Sequence, residues 1–388
     1  MGSVYLDPMM FVPRITIVGA GLAGLTLGRS LKAKGITAIV LERASSSPRF
    51  NYSIALHRWA YQPLLKLLQL DESAFREKLA VDTYQGGNGD VRDDSLLSGA
   101  DIASGTFRCH RGKLELLLRE GQDIRWEHTI EDVEIYPGWI TIRVQNGPSV
   151  QTDYLVAGDG VHSQVRKALK RNTEPKVLPY VVFSGKRTMS LIDYEASIAP
   201  HMRDSTGIHS RHGDVVLQVS VNNITPTQVD LSYAYSRPAQ TNDPLHKPNR
   251  PLNEAGNISD AFYSEIEKLE GLQPPFVEIF HGEKVRQDRI LHWLMRSIMC
   301  QLETIQDLAN HNVLLIGDAA HAMPILGGEG ANMAIKDGID VAERFAQGLT
   351  GLTDLSVFIE QRHQMWKQAV EKGEERLADM HVDVQASL

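Results

Sequence analysis

The sequence predicts an α/β protein with a parallel-sheet lobe, a second lobe rich in β-strand and a long C-terminal helix. Three observations predict it. Apolar runs at residues 15–18, 153–157 and 313–316 each end in a turn carrying glycine or aspartate. Between the last two, residues 214–220 and 230–236 alternate apolar and polar, as strands with one covered face do. Residues 355–380 then read as one helix, with Phe358, Met365 and Trp366 packing it down.

The first run leads into Gly19-Ala20-Gly21-Leu22-Ala23-Gly24, a helical stretch over 25–34, a second apolar strand over 37–41, and Glu42. This is a Rossmann-type βαβ fingerprint in its proper context. Gly19 allows the tight turn, Gly21 lets the backbone approach a pyrophosphate, and Gly24 lets the helix pack closely on the strand. The helix N-terminus, opened by Leu22 and Ala23, attracts phosphate charge. Glu42 sits at the spacing of a carboxylate that grips a ribose diol, and Arg43 follows it.

The second run ends in Gly158-Asp159-Gly160, before a helix that begins near His162. Its carboxylate is expected at the carboxyl edge of the sheet, where ligands bind. The third is the most telling: Gly317-Asp318-Ala319-Ala320-His321-Ala322-Met323-Pro324, continuing through Gly327-Gly328-Glu329-Gly330-Ala331-Asn332. It brings one carboxylate, Asp318, toward a polyol. It also leaves bare backbone N–H groups where an anion or an electron-rich ring edge can sit.

These three motifs, in this order, resemble the group A flavin-dependent monooxygenases, built like p-hydroxybenzoate hydroxylase. The layout is also similar to the tetracycline-inactivating monooxygenases of that superfamily. The resemblance covers roughly residues 13–168 and 310–345. It implies a glutathione-reductase-like FAD-binding lobe, with Gly19, Gly21, Gly24 and Glu42 on the ADP part and Asp159 and Gly160 serving both FAD and the nicotinamide donor. It implies Asp318 on the ribityl chain and the loop from Pro324 through Gly328, Gly330 and Ala331 to Asn332 along the flavin ring. Arg111, in Phe107-Arg108-Cys109-His110-Arg111, matches the family's arginine, and Arg49 resembles its flavin-side arginine. Two positions depart: Glu329 stands where the family usually has Gln and is expected to point outward, and Tyr52-Ser53 stands where it often has glycine. The chemistry implied is reduction by NADPH or NADH, formation of a C4a-hydroperoxide with O2, and hydroxylation or oxidative modification of a small aromatic or polyketide-like compound. An FAD-dependent reductase on the same scaffold, and a flavoprotein that sequesters a compound without turnover, stay open as alternatives. A Trp-x-Trp-x-Ile-Pro stretch, expected of a flavin halogenase, is missing.

At 388 residues the chain is long enough for two lobes. Residues 13–80, 107–170 and 310–350 read as a discontinuous cofactor domain, 81–106 and 171–300 as the substrate domain, and 351–388 as the C-terminal helix. A net charge of −8 with interspersed signs argues against nucleic-acid binding. Two cysteines are too few for a disulfide framework, so a reducing, cytoplasmic setting is expected. Both read as packing residues, with Cys109 weighed as oxidation-sensitive beside Arg111. No apolar run reaches the ~20 residues of a membrane span. A monomer or weak homodimer is expected. No His/Cys/Asp cluster has metal-ligand spacing, and no metal is expected.

A substrate pocket needs the inner faces of second-lobe strands. His209, Arg211, His212, Gln218, Tyr233 and Tyr235 are candidates, each weighed against an ordinary packing or surface role. His209 and His212 read as flanking a turn, and residues 237–254, rich in Pro and Asn, as a long surface loop or lid.

Overall fold

The structure is a computed structural model describing residues 13–48, 50–91, 105–171, 173–327, 329–348 and 352–382. Its first sheet is wholly parallel. β1 (Ile15–Val18), α1 (Leu22–Ala33) and β2 (Ala38–Leu41) make the predicted βαβ unit. β3 (Ser53–Leu56), α2 (Arg58–Leu68) and α3 (Glu72–Leu79) follow, then β4 (Phe107–His110), α4 (Arg111–Arg119) and β5 (Asp123–Arg125). A three-stranded meander, β6 (Ile130–Tyr136), β7 (Trp139–Val144) and β8 (Val150–Thr152), precedes β9 (Tyr154–Ala157) and α5 (Gln164–Ala168). Far along the chain, α10 will return it to the last strand of this sheet.

The second lobe holds β10 (Lys176–Val177), β11 (Tyr180–Ser190), α6 (Leu191–Ser197), β12 (Gly207–His212), β13 (Val215–Ile224) and β14 (Gln228–Pro238). Short helices α7 (Asp260–Glu267), α8 (Phe276–Ile279) and α9 (Gly282–Gln287) lead to β15 (Arg289–Trp293) and β16 (Arg296–Met299). The chain comes back through α10 (Leu302–Asn310), β17 (Val313–Leu315), β18 (His321–Ala322) and α11 (Gly330–Ala346), and closes with α12 (Leu352–Asp379).

The parallel sheet has the order β17-β9-β1-β2-β5. Helices cover both faces, so all four residues of β1 are buried, the three aliphatic ones and Thr16 alike. The three motif strands, β1, β9 and β17, are adjacent in register: Ile17 pairs with Val156, and Leu315 with Ala157. Their carboxyl ends, and so the three turns, emerge side by side.

The large sheet, β12-β13-β14-β11-β15, is antiparallel and longer than the alternation alone suggested. Its two faces differ sharply. One row across it runs Val219, Tyr233, Gly185, Ile290, and the next Leu217, Tyr235, Phe183, His292. This face is sealed by Phe262, Ile266, Phe276 and Phe280 from the short helices. On the other face the rows are His209, Gln218, Ala234, Ser184, Leu291 and Gly207, Ser220, Ser232, Lys186, Arg289. That face meets the cofactor lobe: Ser53 Oγ donates to the Val221 carbonyl at 2.8 Å and Lys186 Nζ to the Asn51 carbonyl at 2.9 Å.

The segment read as a lid is pinned. Arg237 binds Asp243 and Glu265, Arg250 Nε donates to His292 Nδ1 at 3.2 Å, and the His292 N–H donates to the Ala255 carbonyl at 2.8 Å. The loop is therefore a surface segment fastened through Arg237, Asp243 and Arg250.

Candidate active site

The first turn is shaped by contact. Gly19 has φ +103°, and a Cβ there would meet the Gly158 carbonyl oxygen at 2.5 Å, so only glycine fits between β1 and β9. A Cβ on Gly24 would meet the Gly19 carbonyl oxygen at 2.0 Å, which lets α1 start hard against the strand. Gly21 is the opposite case: nothing lies within 4 Å of where its Cβ would be. It N-caps α1 without any side-chain hydrogen bond, so the first-turn N–H groups of Leu22 and Ala23 lie beside open space. Glu42 is buried, and its carboxylate accepts from the Ala20 N–H at 2.7 Å and the Ala44 N–H at 2.9 Å. A carboxylate has room for further donors, so these bonds fix its direction and leave lone pairs for hydroxyls. Arg43 is exposed.

Asp159 caps its own helix. Its Oδ2 accepts from the Gln164 N–H at 2.7 Å and the Val165 N–H at 3.2 Å. Gly160, with φ +85°, has open space where a Cβ would be.

Asp318 differs from both. Its side chain is open to the cleft between the lobes, yet the surrounding protein lifts its carboxyl above the usual range by desolvation, with His321 and Arg111 opposing. Among the described residues it has no hydrogen bond or ion pair. The nearest atom to a Cβ built on Gly330, at the start of α11, is Asp318 Oδ1 at 3.8 Å. A carboxylate without a partner, beside a helix N-terminus, is a vacancy for a hydroxyl donor.

The turn itself is held from below. Asp337 of α11, fully buried, accepts from the Gly317 N–H at 2.7 Å and from His321 Nε2 at 2.7 Å. Sequence reading missed Asp337; an acid at a periodic apolar position of α11 was the available signal.

Arg111 opens α4. Its Nε donates to Glu115 at 3.0 Å, another of its N–H groups donates to the Tyr52 hydroxyl, and its guanidinium lies 4.0 Å from the Phe50 ring centroid. Tyr52 is therefore an aromatic wall clamped by Arg111, its hydroxyl pKa raised chiefly by burial. Cys109 is fully buried and its thiol is pushed far up by desolvation, which removes the weighed oxidation sensitivity.

The loop after Pro324 departs from expectation at two side chains. Asn332 is fully buried and spent on β3: its Oδ1 accepts from the His57 N–H at 2.9 Å and its Nδ2 donates to the Ala55 carbonyl at 3.0 Å. Its side-chain hydrogen bonds are thus spent within and just after β3. Glu329 does not point outward; Arg376 of α12 holds it at 2.6 Å, with His57 at 4.0 Å. Pro324 is buried beside α12, and Ala331 is partly buried on the core. Arg49 and Gly328 lie outside the described residues.

The pocket candidates divide by face. Tyr233 and Tyr235 are corrected: they point into the sealed core, where their hydroxyls donate to Asp288 and Glu265 at 2.6 Å each. Strand parity puts them opposite the cofactor lobe. Arg211 is on the right face but donates to main-chain carbonyls at the end of α12. His209 lies within β12, whereas His212 ends that strand at the turn before β13, and Ser210 Oγ and His212 Nε2 are 3.1 Å apart. His209 and Gln218 remain on the face that meets the cofactor lobe.

Three adjoining turns, an open helix N-terminus, and an unpartnered carboxylate define a dinucleotide-binding protein of the two-lobed flavoprotein kind. Residues 283–372 match a family described as "FAD binding domain". The chain is 31% identical to the FAD-dependent monooxygenase nscC of Neosartorya fischeri over 95% of each chain. Its fold is similar to that of Klebsiella pneumoniae HpxO complexed with FAD and uric acid, with TM-score 0.70, 18% identity and coverage of 98% and 92%. It is also similar to the tetracycline destructase Tet(51), with TM-score 0.63, 15% identity and 96% of each chain covered. The chain belongs to the FAD-dependent monooxygenases, and it is an FAD-binding enzyme of that family. Among the described residues no helix is long and apolar enough to cross a membrane.

Proposed function

We propose that this enzyme takes electrons from NADPH or NADH and uses O2 to hydroxylate, or otherwise oxidatively modify, a small aromatic or polyketide-like compound. Bound FAD supplies the two-electron relay and the activation of oxygen; one oxygen atom enters the product and the other leaves as water. Asp318 accepts from ribityl hydroxyls, and the Leu22 and Ala23 N–H groups with Gly19, Gly21 and Gly24 accommodate the pyrophosphate. Glu42 accepts from the ribose diol, while Arg111 clamps Tyr52 beside the ring. The backbone of the loop from Pro324 to Gly330 offers N–H donors to the ring edge. Asp159 and Gly160 serve the cofactor and its donor.

One observation carries the substrate class: the face of the large sheet turned to the cofactor lobe mixes hydrogen-bonding groups with an apolar wall. Gln218 and Ser184 lie in one row with Ala234 and Leu291, and Ser220 lies in the next. Flat compounds bearing several oxygens need such a surface, with directional donors set in hydrophobic area. No side chain need act as a nucleophile; the protein's part is to orient the compound and exclude water.

The test is NADPH and NADH oxidation by FAD-loaded enzyme with phenols, anthranilates, hydroxylated polyketides and tetracyclines. Stimulation by one class with a product heavier by one oxygen atom supports the proposal. Stimulated oxidation with a product that gained hydrogen and no oxygen would replace it with reduction, and tight binding with no stimulation would replace it with sequestration.

A further inference from the structure

We propose that helix α12 belongs to the cofactor-binding apparatus: through Asp337 it holds the turn that presents Asp318, so docking of α12 and binding of FAD are thermodynamically linked. The proposal rests on the assignment of Asp318 to FAD.

Four donors converge on Asp337. Gly317 N–H and His321 Nε2 come from the two ends of the turn, each at 2.7 Å. Trp366 Nε1, at 2.9 Å, and the Arg362 guanidinium come from α12. The first three are hydrogen bonds and Arg362 adds an ion pair, so both carboxylate oxygens are engaged. One buried carboxylate therefore ties residues 317 and 321, on either side of Asp318, to the middle of α12. Gly317 has φ +56°, a conformation the Asp337 bond secures.

The charge balance makes the tie stronger than a packing contact. Burial pushes His321 down to about 3, so it donates its Nε2 proton as a neutral ring and leaves Arg362 as the counter-charge to Asp337. Arg362 is itself almost fully buried and also binds Asp340 of α11. Withdrawing α12 would leave Asp337 buried without its cation, a state that costs several kilocalories per mole in general. The indole of Trp366 stacks on His321, ring centroids 4.8 Å apart at 23°. A second tie lies further along the helix, where Arg376 holds Glu329 at the start of α11.

A ligand that needs the ordered turn must favour the docked helix, and by reciprocity the docked helix must favour the ligand. Asp337 is thus a positioning residue: it touches the turn, not the cofactor.

The experiment uses the full chain, apo and FAD-loaded, with two readouts: FAD dissociation constant by flavin fluorescence, and the rate of trypsin cleavage within α12. Wild-type cleavage is expected to slow on adding FAD. Asp337→Asn is expected to weaken FAD by about tenfold or more, as for loss of a charged hydrogen bond, and to abolish the protection. Trp366→Phe, which keeps the stack and loses the N–H, is expected to weaken FAD less; it carries the test if the Asp337 variant does not fold. Wild-type FAD affinity in both variants, or cleavage of α12 at one rate with and without FAD, overturns the linkage. Normal affinity in Asp318→Ala, with weakened affinity in Asp337→Asn, would instead overturn the assignment of Asp318 while leaving the linkage standing.

Discussion

Arg211, on β12 of the large sheet, donates to the main-chain carbonyl of Asp379 at 3.1 Å, and also to those of Met380 and Val382. A guanidinium at the negative end of a 28-residue helix satisfies carbonyls that have no intrahelical partner. The residue weighed as a substrate-pocket candidate is a helix cap. It joins the substrate lobe to α12, and His381 reinforces the joint with its Nε2 3.0 Å from Ser236 Oγ.

Replacing Arg211 with Ala should therefore lower stability by about 1–3 kcal/mol, the range for charged hydrogen bonds. Thermal unfolding of the FAD-loaded enzyme would measure it. A loss of substrate affinity with unchanged melting would show that the guanidinium serves the pocket after all.

Asp318→Ala should weaken FAD by roughly 10- to 150-fold, because hydrogen bonds to a charged acceptor are worth about 1.5–3 kcal/mol. Arg111→Ala should weaken it less, since Arg111 acts by clamping Tyr52 and by its field at Asp318. Fluorescence titration of apoprotein reads both, and equal affinity in wild type and Asp318→Ala would sink the assignment.

Tyr233→Phe and Tyr235→Phe should leave the substrate KM unchanged and cost about 1 kcal/mol of stability each, since each removes one buried hydrogen bond. Gln218→Leu, on the opposite face, should move KM and leave melting nearly unchanged. The reversed pattern, with KM following the tyrosines, would place the pocket on the wrong side of the sheet.

His292 gives stability a pH dependence. Burial, aided by Arg250, pushes it down to about 4, against about 6.5 in an unfolded chain. Between those values the unfolded chain binds the extra proton, so stability falls as pH drops from about 6.5 and the full loss, roughly 3 kcal/mol, is reached near pH 4. Chemical denaturation at pH 4.5 and 7 in wild type and His292→Gln would check this, with a flatter profile expected for the variant. Identical profiles would mean that His292 is not held neutral by the fold.

Much of the cofactor side was legible in the chain. Turn chemistry is local: Gly24 must be glycine because a Cβ there would meet the Gly19 carbonyl oxygen, five residues earlier, and strand, glycines and acid sit at fixed spacings. Helices α1 and α12 and the alternation of the large sheet were legible from periodicity for the same reason, with both helices starting three residues earlier than the pattern suggested. The pocket side was less legible. Alternation showed that Tyr233 and Tyr235 share a face and could not say which of the two faces would meet the other lobe.

By itself, then, the sequence determined the class of fold and the order of the three glycine- and aspartate-bearing turns, and it singled out Asp318 as the carboxylate proposed for the cofactor, because each is written in contiguous residues. Only the tertiary structure decided that Arg211 caps a helix, that Asn332 and Glu329 are spent on His57 and Arg376, and that Asp337 carries the Asp318 turn. Those roles depend on partners 16 to 277 residues away. A buried polar group takes whichever partner packing brings to it, and no local pattern specifies that choice.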